Sequence, residues 1–296
     1  MYTDPFTHLV KMEEYRNVDQ KILEKLPERP ERSHKGMFGK ALCIAGSVNM
    51  AGAAYLCAGA TYRSGAGLVR ILTPEENRVI LQTLLPEAVM TTFEQNELEA
   101  LDNMLEEALS WATVAAIGPG LGRKPWAYHM MKLTLQKFHG PLVIDADALN
   151  ILSEHMEWLE RHEGDVILTP HVGEFSRLTG VETRKISEDI SGWAAAFARE
   201  HHRICILKDA PSAALPDGTC YVNTTGNSGM STGGSGDVLT GILTGLLAQN
   251  VDPSDAALLG MWLHGRAGDL AMKKEGEYGL LARHLLEYLP RAMKKA

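Results

Sequence analysis

The sequence predicts an α/β protein with a central, mostly parallel sheet covered by helices on both faces. Short runs rich in valine, isoleucine and leucine alternate along the chain with stretches of helical periodicity. Strands that are buried on both faces carry such nearly continuous apolar runs. Two parallel neighbouring strands are joined by a crossover of a dozen or more residues, usually a helix. The 296 residues, 45% of them hydrophobic, are enough for one large domain of this class.

The elements follow from the order of these patterns. Proline and two acidic residues at 74–76 favour a helix start, and Pro216-Asp-Gly218 lies at the centre of a predicted hairpin over 212–222. Beyond a glycine-rich loop, the chain is predicted to be helical to its end. The predicted strands cover residues 41–46, 67–73, 113–118, 142–147, 166–170 and 204–208. Further helices are predicted over 51–64, from the loop after 122 to 138, and over 173–179 and 185–201.

Residues 1–33 are interpreted as an N-terminal arm. Apolar residues at helical spacing predict a helix over 18–26, which Pro27 ends. Residues 34–296 contain no internal repeat and no linker, so we expect them to form a single domain.

Composition and charge exclude several function classes. A net charge of −8 argues against a nucleic-acid partner bound through bulk charge. The polar N-terminus is no signal peptide, and no apolar run is long enough for a membrane span, so we expect a cytoplasmic protein without a membrane contact. The four cysteines lack the C-x-x-C spacing, which argues against both a disulfide framework and a zinc site: they are Cys43, Cys57, Cys205 and Cys220.

The most informative stretch is the glycine-rich loop at 223–241. Without Cβ atoms, its backbone N–H groups can approach an anion closely. Ser235 is predicted to cap the following helix, which places Gly236 and Asp237 in the first turn, where a helix N-terminus favours phosphate. The alternative is a tight turn in which Asp237 only complements the helix dipole. The polar residues interleaved with the glycines favour a bound ligand.

The other candidate residues follow predicted strands, whose carboxyl ends are the ligand-binding edge of such sheets. The glycines of the loop at 46–53 suit either a flat ligand or a helix packed on the sheet. Gly118-Pro-Gly120-Leu-Gly122 matches neither the dinucleotide fingerprint nor the P-loop. If their strand continues, Asp145 and Asp147 point to one side of the sheet. A magnesium contact, a hydroxyl contact and helix capping by Asp147 all remain open.

Two further strand ends carry a charged or titratable group. His171 follows Pro170 at a strand end, which favours a ligand contact over an ordinary surface histidine. Lys208 can neutralise a phosphate, or can simply be a solvated strand end. Five such loops at one edge together predict a ligand site.

These motifs resemble the ADP/ATP-dependent NAD(P)H-hydrate dehydratase family, which has a ribokinase-like fold. The resemblance covers the chain from about His34 to its C-terminus. The residues before His34 are too few for the epimerase domain that many members carry, so we expect a stand-alone dehydratase. The motifs are His34-Lys-Gly36, Gly46-Ser47, Gly118-Pro-Gly-Leu-Gly122, Asp145-Ala-Asp-Ala-Leu-Asn150, Thr169-Pro-His-Val-Gly-Glu174 and Gly226-Asn-Ser-Gly-Met-Ser-Thr-Gly-Gly-Ser-Gly-Asp237.

The resemblance implies that ADP or ATP drives the loss of water from the (6S)-hydrate of NADH or NADPH (NADHX or NADPHX). With ADP, the products are NAD(P)H, AMP and phosphate. Magnesium is expected with the nucleotide, with no protein ligand assigned. The hydrate site would be formed by Ala53, Gly120, Gly122, His171 and Asp237. The nucleotide site would be formed by Lys208, Asp209, Ala210, Pro211, Ser212, Asn227, Gly234 and Gly236.

In the mechanism that this implies, Asp237 is the catalytic base for the hydrate's hydroxyl. The helix N-terminus should lower the pKa of Asp237, so we expect it to orient the hydroxyl and take the proton late. The family usually has Lys-Gly-x-x-Thr at 208–212, whereas here Asp209 adds a negative charge and Pro211 removes an N–H donor. Leu281-Ala-Arg-His284 stands where Ala-Ser-Asp is common. The apolar, glycine-rich C-terminal helices favour a homo-oligomer, a tetramer among the options.

Two other functions fit the same residues. One is a ribokinase-like kinase of a hydroxymethylpyrimidine or thiazole alcohol, which would share the Gly-Ser-Gly-Asp loop. The other is a non-catalytic nucleotide sensor, which only Asp209 suggests. The sequence leaves open the choice between ADP and ATP and that between NADHX and NADPHX.

Overall fold

The structure, a computed structural model, describes residues 15–95, 98–209 and 212–294. In these ranges, helices flank a ten-stranded sheet, which confirms the predicted fold class. The strands are β1 (Tyr15–Val18), β2 (Lys40–Ile44), β3 (Leu68–Pro74), β4 (Val89–Phe93), β5 (Val114–Ile117), β6 (Leu142–Ile144), β7 (Val166–Leu168), β8 (Ile204–Leu207), β9 (Ser212–Ala214) and β10 (Cys220–Asn223).

The helices cover the two faces of this sheet. They are α1 (Ala51–Arg63), α2 (Arg78–Leu84), α3 (Leu98–Trp111), α4 (Pro125–Lys137), α5 (Ala146–Leu152), α6 (Met156–Glu160), α7 (Val172–Thr179), α8 (Thr183–Glu188), α9 (Ile190–His201), α10 (Ser235–Ala248), α11 (Pro253–Glu275) and α12 (Ala282–Ala292). Short 3₁₀ helices span Gln20–Lys25, Lys35–Phe38, Glu75–Asn77 and Ser228–Met230.

The strand order is β1-β10-β9-β8-β7-β6-β5-β2-β3-β4. All neighbours are parallel except those of β9, which is antiparallel to both β8 and β10. The chain order reverses between β5 and β2, so the loops that follow these strands diverge there. Such a switch point opens a crevice at the carboxyl ends of the strands, where ligands bind in folds of this class.

Alternation along each strand divides the apolar core between the two faces. In β2, Ala41 and Cys43 pack on the side of α1, α10, α11 and α12, while Leu42 and Ile44 pack on the other side. Successive side chains of a strand point to opposite faces, so an uninterrupted apolar strand supplies both cores. The four cysteines are buried and free, as expected from their spacing.

The two edge strands were not predicted from the sequence. β1 pairs with β10 and β4 pairs with β3, each on one side only. The residues of β4 are mostly half-buried or exposed, so this strand lacks the continuous apolar run of the central strands. The predicted helix over 18–26 is confirmed only over Gln20–Lys25, where it is a 3₁₀ helix, because Val18 belongs to β1. The domain boundary at residue 34 stays a prediction.

Other boundaries also differ from the predictions. The predicted hairpin is confirmed as β9 and β10. The predicted helix over 185–201 is instead two helices, because Asp189 leaves the helical conformation and its carboxylate accepts the N–H of Gly192 to cap α9. No helix in the part of the chain described here is both long and apolar enough to cross a bilayer.

The position of α10 depends on its close packing against α1. Gly241 of α10 lies directly over α1, so that a Cβ added there would be 2.1 Å from the carbonyl oxygen of Cys57 and 2.6 Å from the Cβ of Ala60. The absence of a side chain at Gly241 therefore lets the two helix backbones meet. This contact fixes the helix whose N-terminus follows the glycine-rich loop.

We therefore expect Gly241→Ala to lower the free energy of unfolding by about 1–3 kcal/mol, as overpacking does in a rigid core. Urea denaturation followed by circular dichroism measures this change. Gly52→Ala in α1 is the matched control, because a Cβ at Gly52 would meet no atom within 4 Å. Equal stability of the two variants would contradict the close contact between α1 and α10.

Candidate active site

A cavity of about 550 Å³ opens at the carboxyl end of the sheet, beside the glycine-rich loop. Residues from β8, the loop before α7, the glycine-rich loop and α11 surround it. Its size suits a nucleotide or a similar small molecule. The lining residues are His171, Ile206, Lys208, Asp209, Asn223, Thr225, Gly226, Asn227, Ser228, Met230, Ser231, Ser235, Gly236, Leu239, Met261, His264 and Gly265.

The glycine-rich loop is held at its start by Asp269 of α11. One carboxylate oxygen of Asp269 accepts the N–H of Gly226 at 3.0 Å, and the other accepts the side-chain amide of Asn227 at 2.9 Å. The side-chain oxygen of Asn227 in turn accepts the N–H of Gly229 at 3.1 Å. Asn227 therefore shapes the loop from inside while it lines the cavity.

The loop enters α10 through Gly234, not through a serine cap. Gly234 has φ of 92° and is the N-cap residue, so Ser235 is the first helical residue and its predicted capping role was wrong. A side chain at Gly234 would also meet Leu56, whose Cδ1 atom would be 2.4 Å from the added Cβ. Gly236 and Asp237 remain in the first turn, as predicted.

His264 of α11 supports the same turn. Its Nε2 atom lies 2.9 Å from the carbonyl oxygen of Ser235, to which it can donate. Burial lowers the pKa of His264 to about 4, so the ring is neutral at physiological pH. The contact therefore fixes the start of α10 without adding charge.

Lys208, at the end of β8, lies beneath the first turn of α10. Its Nζ atom is 2.7 Å from Oδ1 of Asp145 and 3.7 Å from Oε2 of Glu174. A Cβ added to Gly236 would be 3.3 Å from this Nζ. Burial by itself would lower the pKa of Lys208, but Asp145 and Glu174 outweigh it and the pKa is raised. Lys208 therefore keeps its charge next to the glycine-rich loop.

Asp237 has a raised pKa, contrary to the expectation from its position at a helix N-terminus. Burial, and then the negative charge of Asp145, raise the pKa of Asp237 from 3.8 to about 7, while Lys208 acts in the opposite direction. Within residues 15–95, 98–209 and 212–294, the carboxylate of Asp237 makes no hydrogen bond and no ion pair. It is therefore available to a ligand and suited to proton transfer near neutral pH.

His171 is the N-cap of α7, a role that the sequence analysis missed. Its Nδ1 atom accepts the N–H groups of Gly173 and Glu174, while the carboxylate of Glu174 accepts the N–H of His171 at 3.0 Å. Asp209 accepts the N–H of Val172 at 2.7 Å. The first-turn donors of α7 are thus already bound within the protein, so this helix offers no open anion site.

Three of the predicted hydrate-site residues form a second group, at the switch point between β2 and β5. A Cβ at Gly120 would lie 2.7 Å from the Cβ of Ala53, so the two loops are in contact. The N–H of Gly122 donates to Oδ2 of Asp147 at 2.8 Å. The charges of Asp147 and Lys208 both influence the pKa of Asp237. Asp237 follows Gly236 of the cavity wall and is not itself one of the lining residues.

The two aspartates after β6 do not point to one side, because the strand ends at Ile144. Asp145 is the N-cap of α5 and its side chain turns to Lys208 and Thr240, whereas Asp147, in the first turn of α5, turns to Gly122. Asp145, not Asp147, therefore caps this helix.

Only some of the residues predicted for the nucleotide site lie at the cavity. Lys208, Asp209, Asn227 and Gly236 line the cavity, and Gly234 supports its loop. Ser212 is buried within β9 and does not line the cavity. Ala210 and Pro211 lie outside the described residues.

The sequence analysis also missed residues that build the site indirectly. Thr240, Glu174 and His264 contact residues that are distant in the chain. The one local signal was the hydroxyl of Thr240 in an apolar helix, one turn after Asp237.

The described residues contain no group of three or more histidine, cysteine, aspartate or glutamate side chains that could hold a metal ion. Oδ1 of Asp145 already accepts from Lys208 and from the N–H of Ala146, and its Oδ2 accepts from Thr240. Magnesium is commonly bound through substrate phosphates and waters with few protein ligands. The carboxylate of Asp145 is therefore not assigned to magnesium as a ligand.

A comparison with known sequences decides the family. The sequence model of the NAD(P)H-hydrate dehydratase family matches residues 41–291. The chain belongs to this family. A bifunctional NAD(P)H-hydrate repair enzyme from Moorella thermoacetica is 42% identical over 275 residues, which is 91% of this chain and 52% of that protein. This family member thus spans about half the length of the bifunctional relatives that it matches.

Three further comparisons bear on this family member. The ADP-dependent (S)-NAD(P)H-hydrate dehydratase of Bacillus subtilis is 36% identical over 94% of this chain and 97% of its own length. A crystal structure of a B. subtilis ADP/ATP-dependent dehydratase, co-crystallised with ATP/Mg²⁺, matches with a TM-score of 0.82 at 33% identity, covering 94% of this chain and 97% of that one. A hydroxyethylthiazole kinase from Pyrococcus horikoshii, at 18% identity and a TM-score of 0.59, shares the fold alone.

The raised pKa of Asp237 predicts a pH-dependent cost to stability. The folded protein binds this proton more tightly than the unfolded chain, so ionisation of Asp237 lowers the free energy of unfolding as the pH rises from about 4 to about 7. Asparagine cannot ionise. We therefore expect Asp237→Asn to raise the melting temperature above about pH 7, by a margin that shrinks as the pH falls to about 4.

Differential scanning calorimetry across this pH range measures the effect. Asp217→Asn is the control, because Asp217 is exposed in the hairpin turn, where its carboxylate accepts the N–H of Thr219. A constant difference between Asp237→Asn and the wild type at every pH would show that Asp237 does not titrate in this window.

Proposed function

We propose that this protein removes water from the (6S)-hydrates of NADH and NADPH, with ADP or ATP as the driving co-substrate. The observation that supports this most directly is the carboxylate of Asp237, whose pKa is raised to about 7. Asp237 directly follows Gly236, which lines the cavity. The family membership and the B. subtilis dehydratase support the substrate class. The choices between ADP and ATP and between NADHX and NADPHX are left to experiment.

The reaction begins with a hydroxyl that is a poor leaving group. Transfer of the terminal phosphoryl group of the nucleotide to the 6-hydroxyl of the hydrate, with loss of the hydroxyl proton, yields AMP when ADP is the donor. The lone pair of the ring nitrogen then expels phosphate and leaves an iminium cation. Loss of a proton from C5 restores the C5–C6 double bond of NADH or NADPH. In such a transfer, the protein contributes mainly by positioning the reactants and by offsetting charge.

Asp237 would accept the proton of the 6-hydroxyl. A general base works best with a pKa near the working pH, and burial together with Asp145 gives Asp237 such a pKa. The late proton transfer expected from a lowered pKa is thus no longer required. Ala53, Gly120, Gly122 and His171 would contact the hydrate around this carboxylate.

Lys208 and the glycine-rich loop would hold the nucleotide. The ammonium of Lys208 lies beneath Gly236, where it can offset negative charge on a phosphoryl group. Backbone N–H groups at the start of α10 would bind the phosphoryl oxygens. Asn227, Gly234, Gly236 and Asp209 complete the nucleotide contacts that we propose for the described residues, with Ala210, Pro211 and Ser212 proposed from the sequence alone.

Magnesium would offset the charge of the polyphosphate. No protein ligand is assigned to it, since both oxygens of Asp145 are already bound. We also propose a homo-oligomer and a cytoplasmic location, which the sequence favours.

Asp237→Asn should lower kcat by about 10²- to 10⁴-fold, the usual contribution of positioned proton transfer. Asparagine keeps the shape of the side chain, so both ligands should still bind. The assay follows the return of the reduced-nicotinamide absorbance from hydrated NADH, with ADP and ATP in parallel, and calorimetry measures ligand binding. Turnover above about a tenth of the wild-type value would refute the role of base.

The pH dependence of turnover offers a separate test. Asp237 acts in its ionised form, so kcat/KM should rise with pH, about tenfold per unit, up to about pH 7 and then level off. Initial rates from about pH 5 to pH 9 give this profile. A profile that stays flat across this range would mean that Asp237 keeps its ordinary pKa during catalysis.

The kinase and sensor alternatives predict different outcomes in the same assay. A kinase would consume ATP with a hydroxymethylpyrimidine or thiazole alcohol and give a stable phosphate ester. A sensor would bind nucleotide tightly without turnover on either class of substrate. The hydroxyethylthiazole kinase from Pyrococcus horikoshii shares the fold alone, so it does not favour this alternative.

A further inference from the structure

We propose that Asp145 is a positioning residue for the phosphoryl transfer. Its buried carboxylate holds the Lys208 ammonium beneath the first turn of α10 and holds α10 itself through Thr240. This inference rests on the proposed function, since it assumes that the phosphoryl group is bound at that turn.

The contacts of Asp145 join three elements that are far apart in sequence. Oδ1 accepts from Nζ of Lys208 at 2.7 Å and from the N–H of Ala146 at 2.8 Å. Oδ2 accepts from Oγ1 of Thr240 at 2.6 Å. Asp145 comes directly after β6, Lys208 directly after β8, and Thr240 lies in α10. One carboxylate thus sets the distance between the lysine and the helix N-terminus.

Burial makes this arrangement rigid. Asp145 is 1% exposed and Thr240 is fully buried, while the side chain of Lys208 is 18% exposed. A buried carboxylate is retained only when its oxygens are paired, so none of its three partners can leave without a cost. Glu174, at 3.7 Å, is the second anion near Lys208 and is too distant for a normal hydrogen bond.

Asp145→Asn tests the role because it keeps the shape and removes the charge. Lys208 should stay near Glu174 but lose its closest anchor. The nucleotide then meets one negative charge fewer, so its KM should not rise. Misplacement of the ammonium should lower kcat by about 10- to 100-fold, since small errors of position are costly in the transition state. Unchanged kcat, or a raised nucleotide KM with unchanged kcat, would overturn the proposal.

A second measurement does not depend on turnover. Acetic anhydride labels free amines, and mass spectrometry of the Lys208 peptide gives the labelling rate. Loss of the Asp145 charge should lower the pKa of Lys208, and one pKa unit raises the free-amine fraction about tenfold. Asp217→Asn is the control and should label as the wild type does. Equal labelling of Lys208 in Asp145→Asn and in the wild type would also overturn the proposal.

The turnover assay and the labelling of Lys208 separate the proposed function from the positioning role of Asp145. If the wild type fails to act on hydrated NADH or NADPH, the proposed function falls, while the labelling still decides whether Asp145 holds Lys208. If Asp145→Asn does not fold, Thr240→Val replaces it, because it removes only the hydrogen bond to Oδ2. This variant should lower kcat in the same direction by a smaller factor, and an unchanged kcat would contradict the proposal.

Discussion

The pairing of Lys208 with Asp145 is the constraint on which the candidate site depends. Both groups lie beneath the glycine-rich loop, where an unpaired ion would be costly. The pair forms only when the ends of β6 and β8 are correctly placed, and Thr240 extends the connection to α10. Close packing of α10 on α1 at Gly241 then fixes the same helix from its other side. These contacts therefore hold the ends of β6 and β8, the helix α10 and the glycine-rich loop in fixed positions relative to one another.

The same cluster sets the chemistry of Asp237. One ammonium cannot satisfy the carboxylates of Asp145, Glu174 and Asp237 together, and the contacts of Lys208 favour Asp145. Burial and the nearby negative charge leave Asp237 with a pKa near neutrality, which costs stability when the group ionises. A functional group whose environment disfavours its charged form is common in active sites. In Asp237, burial and the charge of Asp145 cause both the loss of stability on ionisation and the pKa that suits the proposed base.

Asp209 shows how tertiary contacts change the meaning of a substitution. In the sequence, its charge stands next to Lys208 in the loop assigned to a polyphosphate. In the structure, its carboxylate accepts the N–H of Val172 at the start of α7, where the helix dipole stabilises a negative charge. The carboxylate of Asp209 therefore stabilises the start of α7, the helix that His171 caps. Asp209 also lines the cavity.

Local patterns predict the central sheet, the hairpin, the glycine-rich loop and the position of Asp237 in the first turn of α10, because apolar runs and turn residues act over a few residues. The edge strands β1 and β4 became evident only in the folded protein, because a strand with a single neighbour carries little apolar pattern. The tertiary structure also decided the raised pKa of Asp237 and the partners of Asp145, which lie 63 and 95 residues away in the chain. Burial and charge at a site depend on such distant neighbours, and no local pattern contains them.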